Sequence, residues 1–141
     1  MFKYIETIIG SKNFMKHCGD FLAVSMPVGL LFILKGDMRR KFIAKFLISY
    51  FVTYVIKFTI RSPRPDLSNN YSFPSAHMVS SFIVAHYYYK YYKSNNILTS
   101  GILYLLSLFV GYTRIKFKKH YNRDVIGAII IVLALNSSKL K

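Results

Sequence analysis

The sequence predicts an all-α integral-membrane bundle of about five transmembrane helices that follow an N-terminal amphipathic helix. One observation behind this prediction is composition: 53% of the 141 residues are hydrophobic, and the mean hydropathy is +0.31. The other is layout, because the apolar residues form long runs with basic residues between them. A chain of this length fits one domain, so residues 1–141 are expected to form a single membrane-embedded unit.

The N-terminal segment, residues 1–18, alternates apolar residues with lysines at roughly helical spacing. We expect it to form an amphipathic helix at the membrane surface. Further apolar segments follow, and each is predicted to cross the bilayer: Asp20–Leu34, Phe42–Ile60, Pro74–Tyr92, Ile97–Tyr112 and Asp124–Asn136. Several of them are shorter than the ~20 residues that a spanning helix requires, so flanking residues must complete them.

The connections between these segments decide which residues share a side of the membrane. The third and fourth predicted spans carry the chain across the bilayer and back. The Lys57–His77 and Arg114–Asp124 regions are therefore expected on the same side, where they can share one site.

The charge balance narrows the classes of function. The formal net charge is +15, and only five residues are acidic. We expect a membrane and anionic lipids as partners, and no nucleic acid, because the basic residues lie between apolar runs. A two-metal phosphatase site needs several converging carboxylates, which so few acidic residues do not supply. Any phosphate chemistry must then depend on His, Lys and Arg, with no metal and no cofactor predicted.

The segment Thr113–Asp124 contains the candidate nucleophile. His120 and Asp124 are four residues apart, so their side chains share a face if a helix begins near His120. An aspartate that accepts the Nδ1–H bond fixes the imidazole tautomer and leaves Nε2 free to attack phosphorus. Taken alone, Asp124 also fits a role as a helix cap.

The segment Phe73–His77 has the features of a helix start, with Pro74 at the first helical position. Free N–H groups at such a terminus bind anions, and Ser75 adds a hydroxyl donor. His77 would lie beside a bound phosphate and protonate the leaving oxygen as a general acid. Taken alone, the segment fits an ordinary helix start with an exposed histidine.

Three basic residues complete the candidate phosphate site. Lys57 ends the second predicted span, Arg64 is restricted by the following Pro65, and Arg114 precedes His120. Together they offer three cations to the three non-bridging oxygens of a phosphate. Any one of them also fits a lysine or arginine that extends its charge to the membrane interface.

At these residues the chain resembles the type 2 phosphatidic acid phosphatase superfamily, which includes lipid phosphate phosphatases and vanadium haloperoxidases. The family signature runs K-x6-R-P, then P-S-G-H, then S-R-x5-H-x3-D. The matching residues are Lys57, Arg64, Pro65, Pro74, Ser75, His77, Arg114, His120 and Asp124. Ala76 replaces the usual Gly and Thr113 the usual Ser, and neither change removes a group that the mechanism needs. The resemblance implies a helical bundle with an extracytoplasmic site, in a family that usually has six spans.

The function predicted from these residues is metal-independent hydrolysis of lipid phosphates or pyrophosphates through a phosphohistidine. The expected substrate is an anionic phospholipid or a polyprenyl pyrophosphate. One alternative is a membrane phosphotransferase that uses the same site, and another is a non-catalytic basic membrane protein. Haloperoxidase activity is disfavoured, because the site should face lipid.

The expected location is a bacterial cytoplasmic membrane with the active site on the extracytoplasmic side. Lys and Arg are almost evenly divided between the two predicted sides. The dense cluster Arg39-Arg40-Lys41 lies in a short connection, where the positive-inside rule is most reliable. This cluster and the family resemblance both place the opposite end, which carries the site, outside the cytoplasm.

Overall fold

The computed structural model describes residues 2–92 and 96–137, with side chains from residue 13 onward. Its regular structure consists of α-helices, with no strand in the described residues: α1 Phe2–Ile33, α2 Gly36–Ile60, α3 Ala76–Tyr92, α4 Ile97–Lys116 and α5 Asn122–Asn136. The all-α prediction is therefore confirmed, and the helices follow the apolar runs of the sequence closely.

Within the residues whose side chains are described, three helical stretches are long and apolar enough to cross a membrane: Asn13–Ile33, Gly36–Ile60 and Ile97–Lys116. Large apolar side chains point outward along them, such as Phe21 (69% exposed), Phe51 (71%) and Leu105 (68%). Such exposed apolar surface is typical of helices that face lipid. The helices α3 and α5 have 17 and 15 residues, fewer than the ~20 of a full span, so five crossings remain a prediction.

The N-terminal region forms one helix where the sequence predicts two. The sequence predicts an interfacial helix over residues 1–18 and a separate span from Asp20, but α1 runs without a break from Phe2 to Ile33. At the predicted boundary the helix packs closely against α4, since a β-carbon at Gly19 would collide with the side-chain oxygen of Thr113. This glycine is a packing contact within a continuous helix and does not mark a break. Of the amphipathic helix expected over residues 1–18, the side chains of residues 1–12 lie outside those that the structure describes.

The helix α3 is the centre of the bundle and packs against all four other helices. An unbroken run of its residues, Met78–Ala85, is buried, which explains why its sequence lacks the polar face of a surface helix. Near the site, Met78, Val79 and Ile83 pack against Val125 and Ala128 of α5. This contact fixes the first turn of α3 beside the start of α5.

The start of α3 also differs from the prediction. Pro74 is not the first helical residue, because α3 begins at Ala76 and Ser75 caps it. The Ser75 hydroxyl accepts a hydrogen bond from the Met78 N–H at 3.4 Å, and the Ser75 carbonyl accepts one from Val79. The preceding backbone is held by other elements instead: Ser75 N–H donates to the Asp124 carbonyl at 3.1 Å.

The connections at residues 61–75 and 117–121 meet at one end of the bundle. Lys119 forms an ion pair with Asp66 at 2.6 Å, and Arg123 donates to the Ser62 hydroxyl at 3.0 Å. The three sequence motifs therefore emerge together, as the parity of the helices predicts.

Candidate active site

His120 lies in the short connection between α4 and α5, with only 3% of its surface exposed. Its backbone N–H donates to the Arg114 carbonyl at 3.2 Å, which fixes the turn. Its Nδ1 atom lies 3.4 Å from Asp124 Oδ2, a distance too long for a strong hydrogen bond. Burial, and then the positive charges of Lys57 and Arg64, lower the pKa of His120 to about 4. At neutral pH the imidazole is uncharged, as a nucleophile must be.

Asp124 is fully buried in the first turn of α5. Its Oδ2 atom accepts hydrogen bonds from the Tyr121 N–H at 2.9 Å and from the Ser72 hydroxyl. The same oxygen faces His120. Asp124 therefore caps the helix and orients the histidine at once, so the two roles that the sequence offers for it are compatible. Ser72 was not predicted as part of this group, because only the fold brings it to Asp124.

Lys57 is 6% exposed at the end of α2, and its ammonium group lies against the backbone that leads into α3. Its Nζ atom donates to the carbonyls of Pro74 at 2.7 Å and of Tyr71 at 2.9 Å. Lys57 thus anchors the loop before α3, next to the phosphate-binding turn predicted around Ser75. Among the described residues these two bonds use two of its three donor hydrogens, which leaves the third for an anionic oxygen.

The two predicted arginines, Arg64 and Arg114, each have a buried N–H group without a hydrogen-bond acceptor among the described residues. The Nε atoms of Arg64 and Arg114 are buried and have no hydrogen-bond partner among the described residues. Arg64 lies close enough to act electrostatically on both His77 and His120. Buried guanidinium donors without partners are rare in folded proteins, and an anionic ligand between these residues would satisfy them.

The remaining predicted residue, His77, lies in the first turn of α3 and is partly exposed. Its Nε2 atom is 3.1 Å from Oδ1 of Asp20 on α1. The same Asp20 oxygen lies 2.6 Å from Nη1 of Arg114. Sequence reasoning missed Asp20. The available signal was a carboxylate at the edge of an apolar run, which is expensive in a membrane and typical of a functional position.

The site as a whole has two halves. One half is buried around His120, Asp124, Lys57 and Arg114, and the other is partly exposed around His77 and Asp20. A cleft of about 400 Å³ opens beside His120 and is lined by Pro65, Lys118 and Arg123 among others. Across the described side chains, no group of three or more His, Cys, Asp or Glu residues is placed to hold a metal ion.

The comparisons with known proteins agree with the sequence motifs. The family model of the PAP2 superfamily matches residues 40–136, which covers most of α2, all of α3 to α5 and every predicted site residue. No curated protein and no solved structure matches the chain. The matched segment is well over half of the 141 residues, so this chain belongs to the PAP2 superfamily.

Proposed function

We propose that the protein is a metal-independent phosphatase of membrane lipid phosphates or pyrophosphates that works through a phosphohistidine at His120. The observation that carries this proposal is the buried imidazole of His120, whose Nδ1 atom lies 3.4 Å from the buried carboxylate of Asp124. This arrangement leaves the Nε2 lone pair as the nucleophile. PAP2 membership supports a phosphoester hydrolase.

The first chemical step forms the phosphohistidine. Nε2 of His120 attacks phosphorus, and the bond from phosphorus to the leaving oxygen breaks as His77 gives that oxygen a proton. The imidazole of His120 becomes cationic as the N–P bond forms, and the nearby carboxylate of Asp124 stabilises that charge. Arg64, Arg114 and Lys57 compensate the negative charge on the phosphoryl oxygens, with Ser75 in the adjoining turn.

The second step returns the enzyme to its starting state. Water attacks the phosphohistidine, the N–P bond breaks, and His77 takes the proton that the water loses. Inorganic phosphate then leaves, and His120 is again uncharged. No metal ion takes part in either step, which agrees with the small number of carboxylates in the chain.

A lipid substrate is supported by an apolar cleft of about 480 Å³ between α1, α2 and α3. Its lining includes Ala23, one helical turn from Asp20, and Tyr50, whose hydroxyl donates to the Ala76 carbonyl at 3.4 Å. Through Ala23 and Ser80 the cleft comes within one helical turn of Asp20 and His77, and it continues along the apolar faces of α1 and α2. An anionic phospholipid or a polyprenyl pyrophosphate has a phosphate and a long apolar tail that suit this layout.

The test is phosphate release by the purified protein from a panel of phospholipid phosphates and polyprenyl pyrophosphates in excess EDTA. Hydrolysis should persist under chelation and fall at least ~10³-fold in His120→Ala, because the covalent route is lost. His17→Ala is the matched control, since His17 is an exposed histidine without a role in the site. Activity that needs added magnesium, or that survives in His120→Ala, contradicts the proposal. A phosphorylated lipid or sugar acceptor in place of free phosphate would indicate a phosphotransferase.

The site is proposed to face the extracytoplasmic side of a bacterial cytoplasmic membrane. Support comes from the basic cluster Arg39-Arg40-Lys41, which lies at the start of α2, at the opposite end from the site. A Ser68→Cys variant in a Cys18→Ser background tests this orientation, because Ser68 is exposed in the 61–75 connection. A membrane-impermeant thiol reagent should label it on intact cells. Labelling only after the cells are opened would reverse the orientation.

A further inference from the structure

Asp20 joins two residues of the proposed site from outside the family-matched segment. It lies on α1, whereas the PAP2 match begins at residue 40. One oxygen of its carboxylate, Oδ1, contacts both Arg114 Nη1 at 2.6 Å and His77 Nε2 at 3.1 Å. The N-terminal helix therefore contributes to the site a carboxylate that is not part of the family motifs.

Packing on both sides of Asp20 fixes its position on α1. Gly19 lies in close contact with Thr113, and the Lys16 carbonyl accepts a hydrogen bond from Arg114 Nη2 at 3.3 Å. One turn further along, the Ala23 carbonyl accepts a hydrogen bond from the Ser80 hydroxyl at 2.5 Å. These contacts hold α1 in register against α3 and α4, so the carboxylate is placed by the fold.

The contact with His77 determines which ring nitrogen exchanges the proton. When Nε2–H donates to Asp20, the uncharged imidazole keeps its lone pair on Nδ1. Protonation at Nδ1 gives the acid form, and loss of that proton gives the base form, while Asp20 holds the ring in place. The contact with Arg114 adds a second effect, because it aligns a guanidinium that is only 4% exposed.

We propose that Asp20 is a positioning residue for His77 and Arg114, and that it sets the tautomer in which His77 serves as the general acid. This inference rests on the proposed phosphatase function. It also gives α1 a part in the reaction itself, beyond support of the bundle.

Substrates with different leaving groups test the inference. p-Nitrophenolate leaves without a proton, whereas the alkoxide of an alkyl lipid phosphate needs the general acid. Asp20→Asn keeps the size of the side chain and one oxygen acceptor, but removes the charge. We expect its kcat/KM to fall about 10–100-fold for the lipid phosphate, as for other partners that orient a reacting group. The loss for p-nitrophenyl phosphate should be about tenfold smaller, since only the Arg114 effect remains.

Two controls separate positioning from a structural role. Asp37→Asn removes an exposed carboxylate that pairs with Lys41, distant from the site, and should leave both substrates unaffected. In a His77→Ala background, Asp20→Asn should lower kcat/KM equally for the two substrates, because the histidine that Asp20 positions is absent. Asp20→Glu keeps the charge and should restore part of the lipid activity. If Asp20→Asn does not fold, Asp20→Glu and Asp20→Ala carry the same comparison.

The outcomes are distinct. Equal losses on both substrates, or no loss, would overturn the inference while leaving the phosphatase proposal intact. A gain in activity would also overturn it, since it would show that the Asp20 carboxylate competes with the substrate phosphate. A wild-type protein that hydrolyses neither substrate would contradict the proposed function instead.

Discussion

Two histidine–carboxylate pairs lie within the described part of the protein, and they differ in sequence separation, burial and the ring nitrogen involved. His120 and Asp124 are close in sequence and buried, with side-chain exposures of 3% and 0%. His77 and Asp20 come from different helices and are partly exposed, at 40% and 37%. The first pair uses Nδ1 of its histidine and the second uses Nε2. The difference matches the two roles proposed: a nucleophile kept uncharged by burial, and an acid–base group with access to water.

The largest loss of activity among substitutions in the two pairs is expected at Asp124. Asp124→Asn should lower kcat/KM about 10²-fold or more, because the wrong imidazole tautomer is favoured and the cationic phosphohistidine loses its counter-charge. The loss should be equal for p-nitrophenyl phosphate and for an alkyl lipid phosphate, since Asp124 acts on the nucleophile. Steady-state kinetics on the two substrates measure it, with Asp37→Asn as the control. A loss confined to the alkyl substrate would assign Asp124 to the leaving group instead.

A smaller effect is expected where α1 packs against α4. Gly19→Ala places a methyl group against the Thr113 side chain and should destabilise the protein by about 1–3 kcal/mol, as overpacking does. It should also reduce activity on the lipid phosphate more than on p-nitrophenyl phosphate, because Asp20 moves with the helix.

Gly29→Ala is the control in the same helix, because nothing lies within 4 Å of its added β-carbon. Melting temperature in detergent and the two-substrate assay measure both variants. Gly29→Ala should be neutral or slightly stabilising, as alanine favours a helix over glycine. Equal behaviour of the two variants would show that the contact with Thr113 does not hold Asp20 in place.

The pH dependence of stability offers the smallest effect. Burial is the main reason that the pKa of His120 falls from 6.5 to about 4. Between these two pH values the unfolded chain therefore binds a proton at His120 and the folded protein does not. The free energy of unfolding is therefore unaffected by His120 well above pH 6.5 and decreases as the pH falls from 6.5 toward 4. By pH 5 the loss should reach ~2 kcal/mol.

Melting temperatures of the wild type and His120→Asn between pH 7 and pH 5 measure this loss. The wild type should fall more steeply than the variant, which has no imidazole to protonate at this position. Parallel curves would mean that His120 titrates at its ordinary value, and the buried pair would then resemble the exposed one.

The contrast between the pairs also shows what the sequence can predict. The His120–Asp124 pair follows from a four-residue spacing at a helix start, and the helices follow from apolar runs. The Asp20 contact depends on the packing of α1 against α3 and α4, which no local pattern encodes. The same limit explains Ser72, which reaches Asp124 only through the loop before α3. The start of α3 has the same explanation. The sequence pattern places Pro74 in the helix, but the Pro74 carbonyl accepts a hydrogen bond from Lys57 and the Ser75 N–H donates one to the Asp124 carbonyl.

The most direct test of the central claim is detection of the phosphohistidine. Wild-type protein is mixed with a lipid phosphate labelled in its phosphate group, quenched rapidly in alkaline detergent and digested for mass spectrometry. We predict an acid-labile, base-stable phosphate on His120 that is absent in His120→Ala. It should accumulate in His77→Ala with p-nitrophenyl phosphate, because its hydrolysis loses the general base. Turnover without this adduct, or with the phosphate on another residue, would contradict the account.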